Sequence, residues 1–272
     1  MARTDDAGIA GEAESGASIE GSGRLDKAIQ DLGLSDSRSR AQRLILEGSV
    51  RLSGVVCTKP SAKVKAGDVV QVDKGPDYAS RGAYKLAGAF GAFEPMGLPS
   101  PEGRLCLDIG ASTGGFTDLL LRKGASRVIA LDVGEDQLLD RIAQDPRVIG
   151  MSGVNIRDVV PEDLPYRPDY VVSDVSFISL TYVIPVIPAL VAPGTQCILL
   201  IKPQFEVGRT LLGHHGVVTE EDRRVQAVER VTRCALESGF EVKGQVPSPI
   251  TGAHGNVEYL LWLSKRRQAS DG

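Results

Sequence analysis

Leu105-Cys-Leu-Asp-Ile-Gly-Ala-Ser-Thr-Gly-Gly-Phe116 is the stretch that decides the fold. Leu105, Leu107 and Ile109 make a short apolar strand, the run breaks at Gly110, Gly114 and Gly115, and Phe116, Leu119, Leu120 and Leu121 continue at helical spacing. The reading is strand, tight turn, helix. Glycines in the turn allow positive φ and a close approach of backbone to ligand, while the new helix presents N–H groups that have no partner of their own. With Asp108, Ala111, Ser112 and Phe116 around it, the turn is expected to hold a small molecule.

The ligand is narrowed by what is missing. A dinucleotide fingerprint, G-x-G-x-x-G, uses its second glycine to let the backbone touch a pyrophosphate, and Ser112 stands at that position. Pyrophosphate is disfavoured. The next apolar strand, 128–133, carries Asp132, 22 residues beyond Gly110, where such folds hold a ribose diol. A nucleoside without a diphosphate satisfies both observations, and S-adenosylmethionine is such a molecule.

Outward from this motif, strands and helices alternate. A helix is expected around 137–143 and a strand over 148–151, followed by Asn155, whose amide could face an adenine. Tyr170-Val-Val-Ser-Asp174 and Cys197-Ile-Leu-Leu-Ile-Lys202 read as apolar strands with a charge at each carboxyl end. In an open α/β sheet those ends form the ligand crevice, so Asp108, Asp132, Asp174 and Lys202 should converge there. A long helix is expected to start with Thr219 as its cap and Asp222 three residues on, burying Val225, Val228, Val231, Thr232, Ala235 and Leu236. Two strands, 242–246 and 257–263, close the chain, Glu258 beginning the second.

Composition bounds the remaining classes. At 272 residues with 42% hydrophobic content the chain accommodates one large and one small globular domain. The most apolar run, 182–193, is too short for a membrane span and contains Pro185, Pro188 and Pro193. The N-terminus lacks a basic start and an apolar core, so no signal peptide is read and a cytoplasmic protein, without membrane attachment, is expected. Cys57, Cys106, Cys197 and Cys234 have no paired spacing and read as reduced packing residues; no metal is expected. His214 and His215 lie in a glycine-containing loop that reads as a mobile lid.

The net charge of −4 is located rather than general. Residues 1–22 hold Asp5, Asp6, Glu12, Glu14 and Glu20 against Arg3, and the remaining 250 residues carry 30 charges of each sign. That first stretch is expected to be a disordered, solubilising extension. Between Arg24 and Lys74, ten bases face six acids. Leu25, Ala28, Ile29 and Leu32 predict one helix, Ser37 caps a second with Ala41, Leu44 and Ile45, and strands follow at 50–52, 55–56 and 69–72.

This segment resembles the S-four-type RNA-binding domain of a ribosomal small-subunit protein. The resemblance lies in Arg24-Leu-Asp-Lys-Ala28, Ser37-Arg-Ser-Arg-Ala41, Gly48-Ser-Val-Arg-Leu-Ser-Gly54 and Lys59-Pro60. Arg24, Arg38, Arg40, Arg43 and Lys59 then read as contacts to RNA phosphates, which set position and salt dependence rather than sequence choice.

Methyl transfer to a hydroxyl needs the oxygen in line behind the methyl carbon and a means of releasing its proton. Positioning supplies several kcal/mol and an acid or base about 10² to 10⁴ in rate. Lys202, beside Asp174 across the crevice, fits as a base or as an electrostatic partner for the developing alkoxide. Lys85, Asp174, Lys202 and Glu258, each in its local motif, resemble the Lys-Asp-Lys-Glu tetrad of FtsJ-type ribose 2′-O-methyltransferases. Together with Ser173-Asp-Val-Ser-Phe-Ile-Ser-Leu180, Lys202-Pro-Gln-Phe-Glu206 and Gly255-Asn-Val-Glu-Tyr259, and with the S-four-type segment, the chain resembles the TlyA family over residues 24 to 264.

That resemblance implies a Rossmann-like class I methyltransferase fold, a mostly parallel seven-stranded sheet with one antiparallel strand, and an enzyme that methylates cytidine riboses of ribosomal RNA from S-adenosylmethionine. By it Lys202 is the central lysine, Asp174 its partner, and Lys85 and Glu258 orient the ribose hydroxyl. The expected organisation is an extension over 1–22, an RNA-binding domain over 23–74, a linker over 75–79 and a methyltransferase domain over 80–266, acting on ribosomal RNA or ribosomal subunits as a monomer. Two other classes stand beside it. A haemolysin, the older name in the family, needs a membrane-active element that the sequence does not display; a non-catalytic RNA-binding protein would have no need of the tetrad.

Overall fold

In a computed structural model of the chain, residues 15–46, 48–72, 78–208, 212–213 and 216–266 are described. The chain divides into two compact units, Met1–Asp77 and Tyr78–Gly272.

In the first unit, α1 (Leu25–Asp31) and α2 (Arg38–Leu46) pack on small antiparallel sheets. One sheet has the order β1 (Ser15–Ser18), β6 (Val69–Val72), β3 (Val50–Leu52), β4 (Val55–Val56); β2 (Gly23–Arg24) pairs with β5 (Lys63–Val64). Leu25, Ile29, Ala41, Ile45, Val50, Val70 and Val72 fill the interior. Ser37 caps α2 as expected, its hydroxyl accepting from the Arg40 N–H at 3.2 Å. The extension expected over residues 1–22 is contradicted at its end. Ser15–Ser18 pair in register with Val69–Val72, and Ile19 is buried in the same core. A sequence as poor in strand formers as Ser-Gly-Ala-Ser is ordered by its partner, because context outweighs β propensity.

The second unit is a seven-stranded sheet flanked by helices. Its elements in chain order are α3 (Gly82–Phe93), β7 (Leu105–Ile109), α4 (Gly115–Arg122), β8 (Arg127–Leu131), α5 (Asp140–Ala143), β9 (Val148–Met151), β10 (Tyr170–Ser173), α6 (Ile187–Leu190), β11 (Gln196–Ile201), α7 (Pro203–Glu206), α8 (Glu221–Glu237), β12 (Phe240–Pro247) and β13 (Tyr259–Lys265). The strand order is β12-β13-β11-β10-β7-β8-β9; β13 runs antiparallel to both neighbours and the pairs from β11 to β9 are parallel. The expected sheet is therefore present, with its single antiparallel strand.

Period-2 alternation sorts the strand residues onto two cores. Leu107, Ile109, Ile129, Leu131, Val171, Leu199 and Leu261 join Val228, Val231 and Ala235 of α8 on one face. Cys106, Val128, Val172, Ile198, Leu200 and Trp262 join Leu86, Phe90 and Phe93 of α3 and Leu120 of α4 on the other. Tyr78 and Ala79, expected in a linker, belong to this unit: the Ala79 N–H donates to Asp118 Oδ2 at 2.7 Å, and Tyr78 meets the Tyr84 ring edge-on at 5.1 Å. The remainder of that linker, 75–77, lies outside the described residues, as do His214 and His215.

Helix α8 departs from expectation at its start and on its flanks. Glu220, not Thr219, is the N-cap, and the buried stripe is Ala227, Val228, Val231 and Ala235, with Val225 and Leu236 exposed. At 100° per residue, Val225 and Leu236 stand roughly 100° or more from the centre of that stripe, beyond the face a sheet covers.

Helix α3 lies close to the loop between β12 and β13. A Cβ on Gly88 would stand 2.5 Å from Pro249 Cγ and 2.7 Å from its Cδ, whereas Gly91, one turn on, has nothing within 4 Å. Replacing a mid-helix glycine by alanine gains roughly 0.5–1 kcal/mol of backbone entropy, and overpacking costs typically about 1–3 kcal/mol. Gly88→Ala is thus expected to lower the urea midpoint and Gly91→Ala to raise it. Equal shifts of both variants would refute the close approach of α3 to this loop.

Candidate active site

Strand β7 is where the sheet reverses direction of growth: β8 and β9 follow on one side, β10 and β11 on the other. Such a switch point leaves a crevice at the carboxyl ends of the strands, because the two connections diverge. Here those ends carry Gly110, Asp132, Asp174 and Lys202. Gly110 has φ of +83°, and a Cβ on it would lie 3.1 Å from both the Asp174 carbonyl oxygen and the Val175 Cα. Any larger residue would push the two strand ends apart. Gly114 caps α4 at φ +91°, close against Leu138 and Ile142, and Gly115 is packed beneath Ser80.

Two chambers adjoin at this point. The first, of about 320 Å³, is lined among others by Gly110, Ser112, Asp132, Asn155, Ile156 and Phe177. The second, of about 240 Å³, is lined by Ser80, Arg81, Ala111, Gly115, Phe116 and Lys202 among others. Gly110, Ser112, Asp174 and Ser176 line both. Asp132 accepts from the Ser112 and Gly134 N–H groups, each at 2.8 Å, so it holds the turn while facing the first chamber. Asn155 Oδ1 accepts from the Arg157 N–H at 3.2 Å and steadies the bend that follows β9.

Four charged side chains meet beside the second chamber. Lys202 Nζ lies 2.7 Å from Asp174 Oδ1 and donates to Ser176 Oγ at 2.7 Å. Lys85 Nζ, from α3, lies 2.7 Å from Glu258 Oε2 and 3.9 Å from Asp174 Oδ2. The charges alternate, Glu258, Lys85, Asp174, Lys202, and sum to zero. That alternation is what permits burial, since an unpaired charge out of water costs several kcal/mol. Gln204 donates to Glu258 Oε1 at 3.4 Å, and the glycine at 252 leaves the space its carboxylate occupies. Beside each other at a cavity wall, an ammonium can orient a hydroxyl and stabilise the oxyanion it becomes, and a carboxylate can receive the proton it gives up.

Asp108 does not join this group. It is wholly buried beneath the turn and lines neither chamber. Its Oδ2 accepts from the Thr117 hydroxyl at 2.7 Å, tying β7 to α4. Burial pushes its carboxyl up to about 7, only partly offset by the Thr117 hydrogen bond. It fell among the expected convergent residues because it is two positions short of the glycine, and alternation turns it inward rather than to the strand end.

Three residues at the site have no counterpart in the expectations. Ser176 holds Lys202. Phe177 is 92% exposed, adopts φ of +65° and contacts the Phe205 ring at 5.2 Å. Arg81, at the N-cap of α3, lines the second chamber. The only sequence signal for the first two is their place two and three residues after Asp174.

In the first unit, the buried Asp26 carboxylate accepts from Arg24 Nε and Nη2 at 3.0 and 2.9 Å, from Arg38 Nε at 3.1 Å and from Gln42 Nε2 at 2.7 Å. The Arg24 guanidinium, chief among these, holds that carboxyl well below the usual range. Both arginines remain half-exposed. Arg40 pairs with Asp36 at 3.8 Å; the Arg43 side chain lies outside the described residues.

Residues 78–265 match the model of the FtsJ-like methyltransferase family and residues 23–70 that of the S4 domain. The 16S/23S rRNA (cytidine-2′-O)-methyltransferase TlyA of Mycobacterium tuberculosis is 43% identical over 242 residues, 88% of this chain and 89% of that protein. Hemolysin A of Brachyspira hyodysenteriae is 40% identical over 238 residues, 87% and 98% of the two chains. A solved structure of a hemolysin-named protein from Streptococcus thermophilus superposes with a TM-score of 0.70 at 38% identity, covering 92% of this chain and 90% of that one.

The buried Asp108 makes stability depend on pH in a stated direction. Its folded value, about 7, exceeds an unfolded carboxylate's, near 4, so the folded state keeps a proton that the unfolded chain releases between them. Its contribution is full below about pH 4 and is lost as pH rises through about 7. Asp108→Asn removes that loss. Relative to wild type, the variant should gain unfolding free energy between about pH 4 and pH 8, by at most about 4 kcal/mol from three pK units. Parallel urea-denaturation profiles across that range would show that Asp108 is not a buried acid.

Proposed function

The chain belongs to the FtsJ-like methyltransferase family and, within it, to the TlyA group, and on that premise we propose that it transfers the methyl group of S-adenosylmethionine to a cytidine 2′-hydroxyl in ribosomal RNA. The observation that carries this reading is the row of alternating charges, Lys202–Asp174 and Lys85–Glu258 at 2.7 Å each, beside the glycine turn.

The first chamber suits the nucleoside end of S-adenosylmethionine. Its volume is at the lower end of small-molecule sites, Gly110 keeps its wall free of a Cβ, and the Asp132 carboxylate, with two of its roughly four acceptor positions used, can still receive a ribose diol. Asn155 offers an amide at the same wall. When bound, the cofactor supplies a methyl group activated on a sulfonium. Asp174 and Ser176, common to both chambers, mark the border the methyl crosses.

Around the acceptor, Lys202 lies closest to Asp174 and holds the 2′-oxygen as its proton leaves; Lys85 and Glu258 fix the hydroxyl from the other side. The new bond would be oxygen to methyl carbon and the broken one methyl carbon to sulfur, while the hydroxyl proton passes to the Asp174 carboxylate and the Lys202 ammonium offsets the charge left on oxygen. Phe177 suits a base of the acceptor strand: an exposed ring in a left-handed backbone conformation, held at a cost of order 1–3 kcal/mol, offers a stacking face at the mouth of the site.

The first unit would dock the RNA. Arg24 and Arg38, locked on Asp26 but half-exposed, are pre-oriented cations for phosphates, and Arg40 and Lys59 extend the basic surface, with Arg43 a further phosphate contact on the sequence reading alone. The same reading makes this a cytoplasmic, monomeric enzyme working on ribosomal subunits. One relative bears the name Hemolysin A; among the described residues no helix is long and apolar enough to cross a membrane.

Lys202→Ala is expected to retain S-adenosylmethionine and RNA binding and to lose at least about 10²-fold in transfer of labelled methyl to ribosomal RNA. Undiminished transfer removes Lys202 from the mechanism, and no difference in mapped ribose methylation between ribosomal RNA from cells with and without the gene overturns the function. Arg38→Ala and Lys59→Ala should each weaken RNA binding and lower the salt slope by about 1. An unchanged slope excludes those residues from phosphate contact.

A further inference from the structure

The loops that carry Asp174 and Lys202 are joined a second time, away from the chambers. Glu206 is the last residue of α7, four after Lys202, and is 4% exposed. Its Oε2 accepts from the Ser179 hydroxyl at 2.5 Å and its Oε1 from the Leu180 N–H at 2.8 Å. Ser179 and Leu180 begin the 3₁₀ turn that ends the loop holding Asp174, Ser176 and Phe177. Within that turn, the Ser179 Oγ also receives the Thr181 N–H at 3.1 Å and lies 2.7 Å from Thr181 Oγ1. The Glu206 carbonyl in turn accepts from Arg230 Nη1 of α8 at 3.0 Å.

Without Glu206, the two loops would be joined, among the described residues, only by side chains, Lys202 on Asp174 and Ser176 and the Phe205 ring on Phe177. An ion pair on flexible side chains fixes a distance but not the path of the backbone behind it. Glu206 adds a rung at the far end of the loop, and one of its donors is a backbone N–H, so the loop's course is fixed at both ends. Packing alone would not call for a carboxylate there. Burial raises the pKa of this group, and the Ser179 and Leu180 hydrogen bonds with the nearby Arg230 charge work against that rise. An apolar residue of similar size would avoid that opposition, but it could accept neither hydrogen bond.

We propose that Glu206 is a positioning residue for methyl transfer, a buried clasp that holds the Asp174–Ser176–Phe177 loop at the distance and angle at which Asp174 and Ser176 grip Lys202. It touches neither cofactor nor substrate. The proposal rests on the functional reading above for its kinetic consequence, while its structural consequence stands without it.

Three variants separate these. Glu206→Ala removes both acceptors and is expected to lower kcat for ribosomal RNA methylation by about 10- to 100-fold, because displacement of a reacting group by about 1 Å costs up to 10² in rate. Binding of S-adenosylmethionine should fall less than kcat, since Gly110, Asp132 and Asn155 lie outside the loop, whereas KM for RNA should rise with the displacement of Phe177. Glu206→Gln keeps an acceptor for the Leu180 N–H and can donate to the Ser179 Oγ, and it should recover most of kcat. Ser179→Ala removes one rung and should fall between.

Hydrogen–deuterium exchange supplies a readout independent of turnover. Amides of residues 174–182 should lose protection in Glu206→Ala and regain it in Glu206→Gln, while those of β7 and β8 stay unchanged. Unchanged exchange in 174–182 overturns the clasp. So does a fall in kcat that matches a fall in the folded fraction, for then Glu206 serves stability alone. If wild type transfers no methyl to ribosomal RNA, the functional reading fails, and the exchange result still decides whether Glu206 holds the loop.

Discussion

Burying two ammonium groups and two carboxylates in one wall is possible only if each charge sits between opposite neighbours, and that requirement governs the second unit. Lys85 comes from α3, Asp174 from the end of β10, Lys202 from the end of β11 and Glu258 from the chain just before β13. No two are neighbours in sequence, so the row exists only when all four elements are assembled. Breaking a buried pair by removing one partner typically costs about 3–5 kcal/mol, because the other charge is stranded. On the proposed reading, the same arrangement that makes the wall expensive to disturb would serve the chemistry: a pre-oriented ammonium beside a carboxylate needs no reorganisation as charge develops on an acceptor oxygen.

The sheet explains why these residues can meet. Because strand growth reverses at β7, β7 and β10 pair directly, and Ile109 lies opposite Ser173 in register. The next residues on each strand, Gly110 and Asp174, then leave the sheet side by side, and a glycine is required where a Cβ would strike the Asp174 carbonyl. The turn that opens one chamber and the carboxylate that serves the other are fixed by the same ladder of hydrogen bonds. The two chambers therefore share one rigid edge rather than two loops that must find each other.

Much of this was legible in the order of residues. Short apolar runs over Leu105–Ile109, Tyr170–Ser173 and Gln196–Ile201 specify buried strands, and a charge at the end of such a run points to the crevice. What could not be read depends on long-range partners. Ser15–Ser18 is a strand only because Val69–Val72 offers an edge. Asp108 looks like Asp174 in sequence, yet one is buried under the turn with Thr117 and the other is at the border of two chambers. The start of α8 is marked by a capping pattern at Thr219, but the helix begins at Glu221 with no side chain capping it. Local signals of about 1 kcal/mol lose to the packing of the whole helix.

The first unit follows the same rule about buried charge toward a different end. Asp26 is wholly buried and surrounds itself with Arg24, Arg38 and Gln42. In sequence those arginines read only as basic residues available to RNA; in the fold their guanidinium groups are first of all the counter-ions of one carboxylate. The two roles are compatible. Arginine has five donors, and the contacts to Asp26 take two from Arg24 and one from Arg38, which leaves N–H groups on their half-exposed faces for phosphate oxygens. A cation already immobilised loses less entropy on docking than a free surface side chain, whose ordering costs up to about 2 kcal/mol. The buried acid thus sets the geometry of the basic surface, as the alternating row sets that of the crevice, and in both units the chemistry available at the surface is decided by a charge beneath it.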